Sequence, residues 1–133
     1  MAALAAFGCA KFQTARECGT FASAIEQWRG QAKPVASAPA ASPSAASSDA
    51  RALADRYDDL AKRIDALKLT SDELVPRAER YQKLSREAAK ALRDVAAAVE
   101  KGDAETARRR RVEFDDISHG EAPLVADING VCR

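Results

Sequence analysis

A chain of 133 residues with 31% charged side chains amounts to one domain, large enough for a single modest core. Its 21 basic and 20 acidic residues leave a formal net charge of +1, so no global field draws in nucleic acid or an anionic surface, and any partner must be argued locally. Aromatic residues make up only 5% while alanine is abundant, which predicts a thin core with helices approaching closely over small side chains.

The N-terminal segment, 1–18, holds the first of three cysteines. Leu4, Ala5, Ala6, Phe7 and Gly8 form an apolar run that ends in a small residue directly before Cys9. This resembles the lipobox of small bacterial lipoproteins and exported helical proteins, in which a signal peptidase cuts before a cysteine that becomes the lipidated N-terminus. The match covers roughly the first ten residues. Ala6 stands where leucine is usual and no basic n-region precedes the run, so the resemblance implies a translation start upstream of Met1. It further implies lipidation of Cys9 and an address in the bacterial cell envelope, and it names no activity. On the residues alone, the stretch reads equally as a short N-terminus with an incidental cysteine.

A short first helix is expected over 19–30, from Thr20 as N-cap to Gly30 as stop. Residues 31–48 read QAKPVASAPAASPSAASS, with prolines at 34, 39 and 43, and predict an extended, mobile linker. Residues 49–133 then carry the bundle core. A second helix runs from Asp49 to Lys68. Thr70 with Glu73 forms a capping box and Leu69 with Leu74 a hydrophobic staple, opening a third helix that continues to Lys101 despite Pro76. Gly102 and Asp103 close that helix and cap the next, so the two must pair antiparallel. The fourth runs from Ala104 to Val131 and is interrupted by His119, Gly120 and Pro123, which we read as a kink, with a break near Gly120 as the alternative.

One heptad-like apolar seam joins these segments, in the manner of a coiled coil. It reads Ala50, Leu53, Tyr57, Leu60, Ile64, Leu67; then Leu74, Ala78, Tyr81, Leu84, Ala88, Leu92, Val95, Val99; then Ala107, Phe114, Ile117, Leu124, Ile128, Val131. Steps of three and four place each set on one helix face, which an all-α, antiparallel four-helix bundle requires. Cys18 shares a face with Phe21, Ile25 and Trp28, and Cys132 follows Val131 on the last seam. In an up-down-up-down bundle the start of the first helix and the end of the fourth lie together, which allows a Cys18–Cys132 disulfide and with it an oxidising compartment. Two buried, reduced thiols packing as small hydrophobes are the alternative.

Chemistry-bearing patterns are sparse. Asp116 and His119 at i, i+3 match half of a ferritin-like dimetal motif, but His119 is the single histidine. It also excludes a bis-histidine haem. Arg108–Arg111 is a dense basic run, yet consecutive residues wrap around the helix, and Glu105 with Arg109 and Arg111 with Asp115 suggest a paired, solvated surface without interleaved aromatics for stacking bases. Ser118 beside His119 makes no triad, Asp58 and Asp59 are neighbours around a helix, and no glycine-rich phosphate loop is present. Trp28, Tyr57 and Tyr81 fall on the seams as core residues. These readings predict no enzyme, no cofactor, no metal and no nucleic-acid partner. The expected role is a non-catalytic structural or protein-interaction domain of the cell envelope, its protein partner unknown and its only membrane contact a lipid on Cys9. The rivals are a cytosolic helical adaptor with free thiols that takes a partner helix and, more weakly, a ligand- or metal-binding bundle.

Overall fold

The computed structural model describes residues 4–31 and 42–133, and its elements are α1 (Leu4–Gly30), α2 (Pro43–Ala66), α3 (Val75–Glu100), α4 (Ala104–His119) and α5 (Glu121–Val131). α2 and α3 form an antiparallel hairpin, α4 returns along α3, and α5 continues α4 after a bend. α1 lies antiparallel to α2, since Glu17 meets Thr70 while Trp28 meets Arg56. The result is a four-helix bundle whose fourth member is bent.

Packing follows the seam: none of its residues is exposed. Leu60, Leu74, Ala88 and Leu92 are almost wholly buried, and Leu53, Tyr57, Leu67, Leu84, Val99, Ala107, Ile117 and Val131 are half-buried. The core changes character along its length. Toward the α2–α3 loop, Cys18, Phe21, Ile25 and Trp28 of α1 pack with Leu60, Ile64, Ala78, Tyr81, Leu124 and Ile128, so four helices meet there over large side chains. Further up, only α2, α3 and α4 converge, around Ala54, Ala88, Ala89, Ala91, Leu92 and Phe114, then Ala50, Val95 and Ala96. Small side chains let three helices close on one another there, and α1 ends at Gly30, with its Trp28 level with Arg56.

Several boundaries differ from expectation. The first helix begins at Leu4, not Thr20, so the predicted 1–18 segment is largely helical. Thr20 is no cap: its hydroxyl donates to Arg16 O at 3.2 Å, as Thr14 does to Ala10 O at 3.0 Å, which keeps both inside a continuous helix. The predicted linker is shorter than 31–48, because Ser42 caps α2 by accepting from Ala45 N at 3.1 Å and Pro43 occupies its first turn. A proline there gives up an N–H that has no intrahelical partner anyway. Residues 32–41 of that linker lie outside the described residues. α2 stops at Ala66, and Lys68 adopts the left-handed φ of 50° that a glycine usually supplies.

The capping box of Thr70 and Glu73 does not form. α3 starts at Val75 with Pro76 in its first turn, and Ser71 Oγ accepts from Leu74 N at 3.4 Å in its place. Leu69 and Leu74 do pack into the same cluster. At the far end, Gly102 takes φ 71° and Asp103 Oδ1 accepts from Thr106 N at 3.0 Å, as the Gly-Asp pair predicts. Between α4 and α5, Gly120 remains right-handed at φ −70° and ψ −14°, so the chain bends without turning. Pro123 is the physical cause: it lacks the N–H that would bond the His119 carbonyl, and its ring crowds that carbonyl. The seam passes through the bend, with Ile117 on one side and Leu124 on the other.

Candidate functional site

The densest meeting of polar and aromatic groups is the four-helix end, and α1 organises it. Spacing of three, four and three places Cys18, Phe21, Ile25 and Trp28 on its inner face. Cys18 is bonded to Cys132, with their Cα atoms 5.7 Å apart, and the bridge closes the chain over a sequence separation of 114. One turn on, the Phe21 ring meets the edge of Tyr81 at 6.1 Å between centroids. At the helix end, Trp28 packs against Tyr57 at 5.8 Å, and Tyr57 in turn meets Phe114 at 5.9 Å. Trp28 Nε1 donates to Arg56 O at 2.8 Å, while the Arg56 guanidinium lies over the indole at 5.0 Å.

Two polar clusters flank this row. The Tyr81 hydroxyl donates to Glu121, and Arg29 of α1 approaches the same carboxylate at 3.7 Å. Burial, followed by the hydrogen bond and the charge of Glu121, pushes the Tyr81 phenol well above its ordinary 10.0, so it stays a donor at any physiological pH. Asp127 bridges Arg77 at 3.2 Å and Arg80, pinning α5 to α3. Between α1 and α5 lies a shallow groove of about 240 Å³, lined by Cys18, Ala22, Ile25, Tyr81, Ile128 and Cys132. Glu26, Arg29 and Asn129 add polar groups to its otherwise apolar walls.

Glu17 ties α1 to the α2–α3 loop. Its carboxylate accepts from Thr70 N at 2.9 Å, Thr70 Oγ1 at 2.7 Å and Ser71 N at 2.8 Å, and the Thr14 and Ser71 hydroxyls lie 2.8 Å apart. Partial burial raises the Glu17 pKa, but the bonds from Thr70, Ser71 and Gln13 outweigh it and hold it below the ordinary 4.5. A carboxylate with a depressed folded pKa stabilises the fold above 4.5 and loses that contribution as pH falls from 4.5 through the folded value. Glu17→Gln is therefore expected to flatten the acid limb of the stability curve below pH 4.5 while changing the neutral-pH stability by about 1 kcal/mol, read by denaturant unfolding across pH.

The other residues of chemical interest stay apart. Among the described residues, no group of three or more His, Cys, Asp or Glu gathers to hold a metal. Asp116 and His119 are exposed on α4. In the basic run, Arg110 pairs with Glu113 at 2.8 Å and Asp94 at 3.9 Å, and Arg111 approaches Asp115 at 3.8 Å as its spacing predicts. Arg109 turns to Thr106 Oγ1 at 3.4 Å, in place of Glu105. Asp58 and Asp59 serve separate ion pairs, with Arg93 and Arg63 at 2.7 Å each.

Comparison with known proteins adds no relative. No protein family matches the chain, and neither a curated protein nor a solved structure does.

Of the sites expected from sequence, Cys18 and Cys132 are brought together, and Cys9 is exposed on the first turns of α1. Sequence patterns had no means of finding the Glu17–Thr70 bridge or the Tyr81–Glu121 pair, since each joins residues at least 40 apart in the chain. No helix among the described residues is long and apolar enough to cross a membrane.

Proposed function

We propose that this chain is a non-catalytic structural or interaction domain of the bacterial cell envelope, held at a membrane by lipid on Cys9 and locked by its disulfide. The observation that carries the reading is the Cys18–Cys132 bond. A bridge between α1 and the C-terminal end of a thin, alanine-rich bundle persists in an oxidising compartment and is reduced in a cytosol. Supporting it, Cys9 sits exposed on the same helix, nine residues before Cys18, and carries the lipobox-like run ahead of it.

The partner face in this reading is the groove between α1 and α5, where apolar Ile25, Tyr81 and Ile128 lie beside Glu26, Arg29 and Asn129, the mixture of apolar and polar groups that a protein partner covers. Thiol mapping of the protein taken from native cells tests the compartment. With free thiols blocked before lysis, the expected mass pattern contains a Cys18–Cys132 cross-linked peptide and a lipid adduct on Cys9. Recovery of alkylated Cys18 and Cys132 would instead favour the cytosolic adaptor.

A further inference from the structure

We infer that the outward face of α4 is a self-association surface, on which a second copy of this chain lays its own α4 antiparallel across a two-fold axis beside Val112. This surface shares no residue with the α1–α5 groove and does not depend on lipid at Cys9.

Three observations converge. First, Glu105, Arg109, Val112, Asp116 and His119 follow one another at steps of four and three, and all five are exposed. That spacing makes them one stripe, on the side of α4 turned away from buried Phe114. Second, Val112 stands at the middle of the stripe, 54% exposed, beside an open groove of about 570 Å³ between α3 and α4 that Ala91 and Ile117 also line. Third, Arg109 and Asp116 are left over from the ion pairing of the bundle. Arg110 and Arg111 of the same run take Glu113 and Asp115, Lys90 takes Asp94, and Glu87 takes Lys83. Among the described residues, Arg109 bonds the Thr106 hydroxyl and no carboxylate, and Asp116 enters no ion pair.

The order of charges along the stripe selects what covers it. Arg109 and Asp116, and likewise Glu105 and His119, are placed evenly about Val112. A two-fold axis there sets residue 109 of one copy opposite residue 116 of the other, and 105 opposite 119. Arg109 then meets Asp116 twice, Glu105 accepts twice from the His119 imidazole, and the two Val112 side chains cover each other at the centre. Glu113, close to the axis, is already held by Arg110 at 2.8 Å, and Arg108 comes beside Asp115 of the second copy. A parallel pairing would set Arg109 on Arg109 and Asp116 on Asp116, which like charges forbid. A stripe that is its own complement in this way fits a copy of itself better than a partner carrying one sign of charge. One pair of 16-residue helices buries less than the roughly 1,200 Å² at which stable complexes begin, so the dimer is reversible, with a Kd on the order of 100 μM.

Sedimentation equilibrium tests this on the full chain, with its disulfide intact and Cys9 alkylated to prevent bridges between copies, from about 5 to about 500 μM. The weight-average mass is expected to climb from 14.2 kDa to about 1.7 times that value. Arg109→Asp and Asp116→Arg are each expected to weaken self-association about tenfold, since each turns two symmetry-related attractions into repulsions. Helical content should be unchanged in both, because the side chains are exposed. Mixing the two variants reads the geometry: an equimolar mixture is expected to regain the native mass curve, because the reversed charge of each copy faces its opposite on the other. A mass that stays at 14.2 kDa throughout would overturn the surface and leave α4 to a partner other than this chain. Dimers that tolerate both reversals, or a mixture no tighter than either variant alone, would overturn the antiparallel pairing across Val112.

Discussion

Replacing both Cys18 and Cys132 with serine is expected to lower the unfolding free energy by about 4 to 5 kcal/mol, the chain-entropy value for a loop of this size. For a domain whose total stability is about 5 to 15 kcal/mol this is a large share, and it corresponds to a fall in Tm on the order of 15 °C. The loss has a definite location. Without the bridge, α1 is held to the remainder by the Phe21–Tyr81 and Trp28–Tyr57 contacts, the Glu17 bonds and the Arg29–Glu121 pair. We expect hydrogen exchange in the double variant to rise first in α1 and α5, while the α2–α3 hairpin stays protected close to the global limit. Thermal unfolding of oxidised, reduced and double-serine protein checks both parts. A shift below 1 kcal/mol would mean that the unfolded chain is already compact enough to hold its ends together.

Tyr81→Ala is expected to cost about 3 to 5 kcal/mol, at the level of a large aromatic deleted from a core. The side chain is 1% exposed, stands at the centre of the four-helix cluster, and bonds three elements at once: Phe21 of α1 by its ring, Glu121 of α5 by its hydroxyl, and its own α3. Tyr81→Phe separates the terms. It keeps the volume and the edge contact but leaves Glu121 with Arg29 alone, so a loss of about 1 to 2 kcal/mol is expected. The two variants should also diverge from the native protein at high pH. Burial first, then Glu121, raises the folded pKa of Tyr81 above its ordinary 10.0. The neutral phenol thus contributes stability that is complete below pH 10 and is lost progressively as pH climbs from 10 toward the folded value. Denaturant unfolding at pH 8 and above should show a steeper alkaline decline for native protein than for Tyr81→Phe.

Much of the fold was readable because it is written in local periodicity. The steps of three and four from Ala50 to Val131 mark the buried faces, and every one of those residues is at least half-buried. Gly102 and Asp103 specify a turn by their own backbone and side-chain preferences, without help from the rest of the chain. Pro123 imposes the bend through its own ring and its missing N–H. Boundaries set by competition were read less well. Thr20 has the chemistry of an N-cap, yet its hydroxyl is satisfied within a helix that the alanines around it extend back to Leu4. Thr70 has the chemistry of a capping box, but Glu17, distant in sequence, offers it a charged acceptor that outcompetes Glu73.

The sequence by itself determined that this protein is helical and which faces are apolar, because these depend on periodicity; the meeting of Cys18 with Cys132 it only allowed. Only the tertiary structure decided that Cys18 of α1 meets Cys132, that Phe12 is left in the open, and that Glu17 and Glu121 are the carboxylates that fasten α1 and α5. The reason is physical. Which partner a polar side chain takes, and which apolar residue is left uncovered, follow from the relative placement of helices, and no local pattern encodes it.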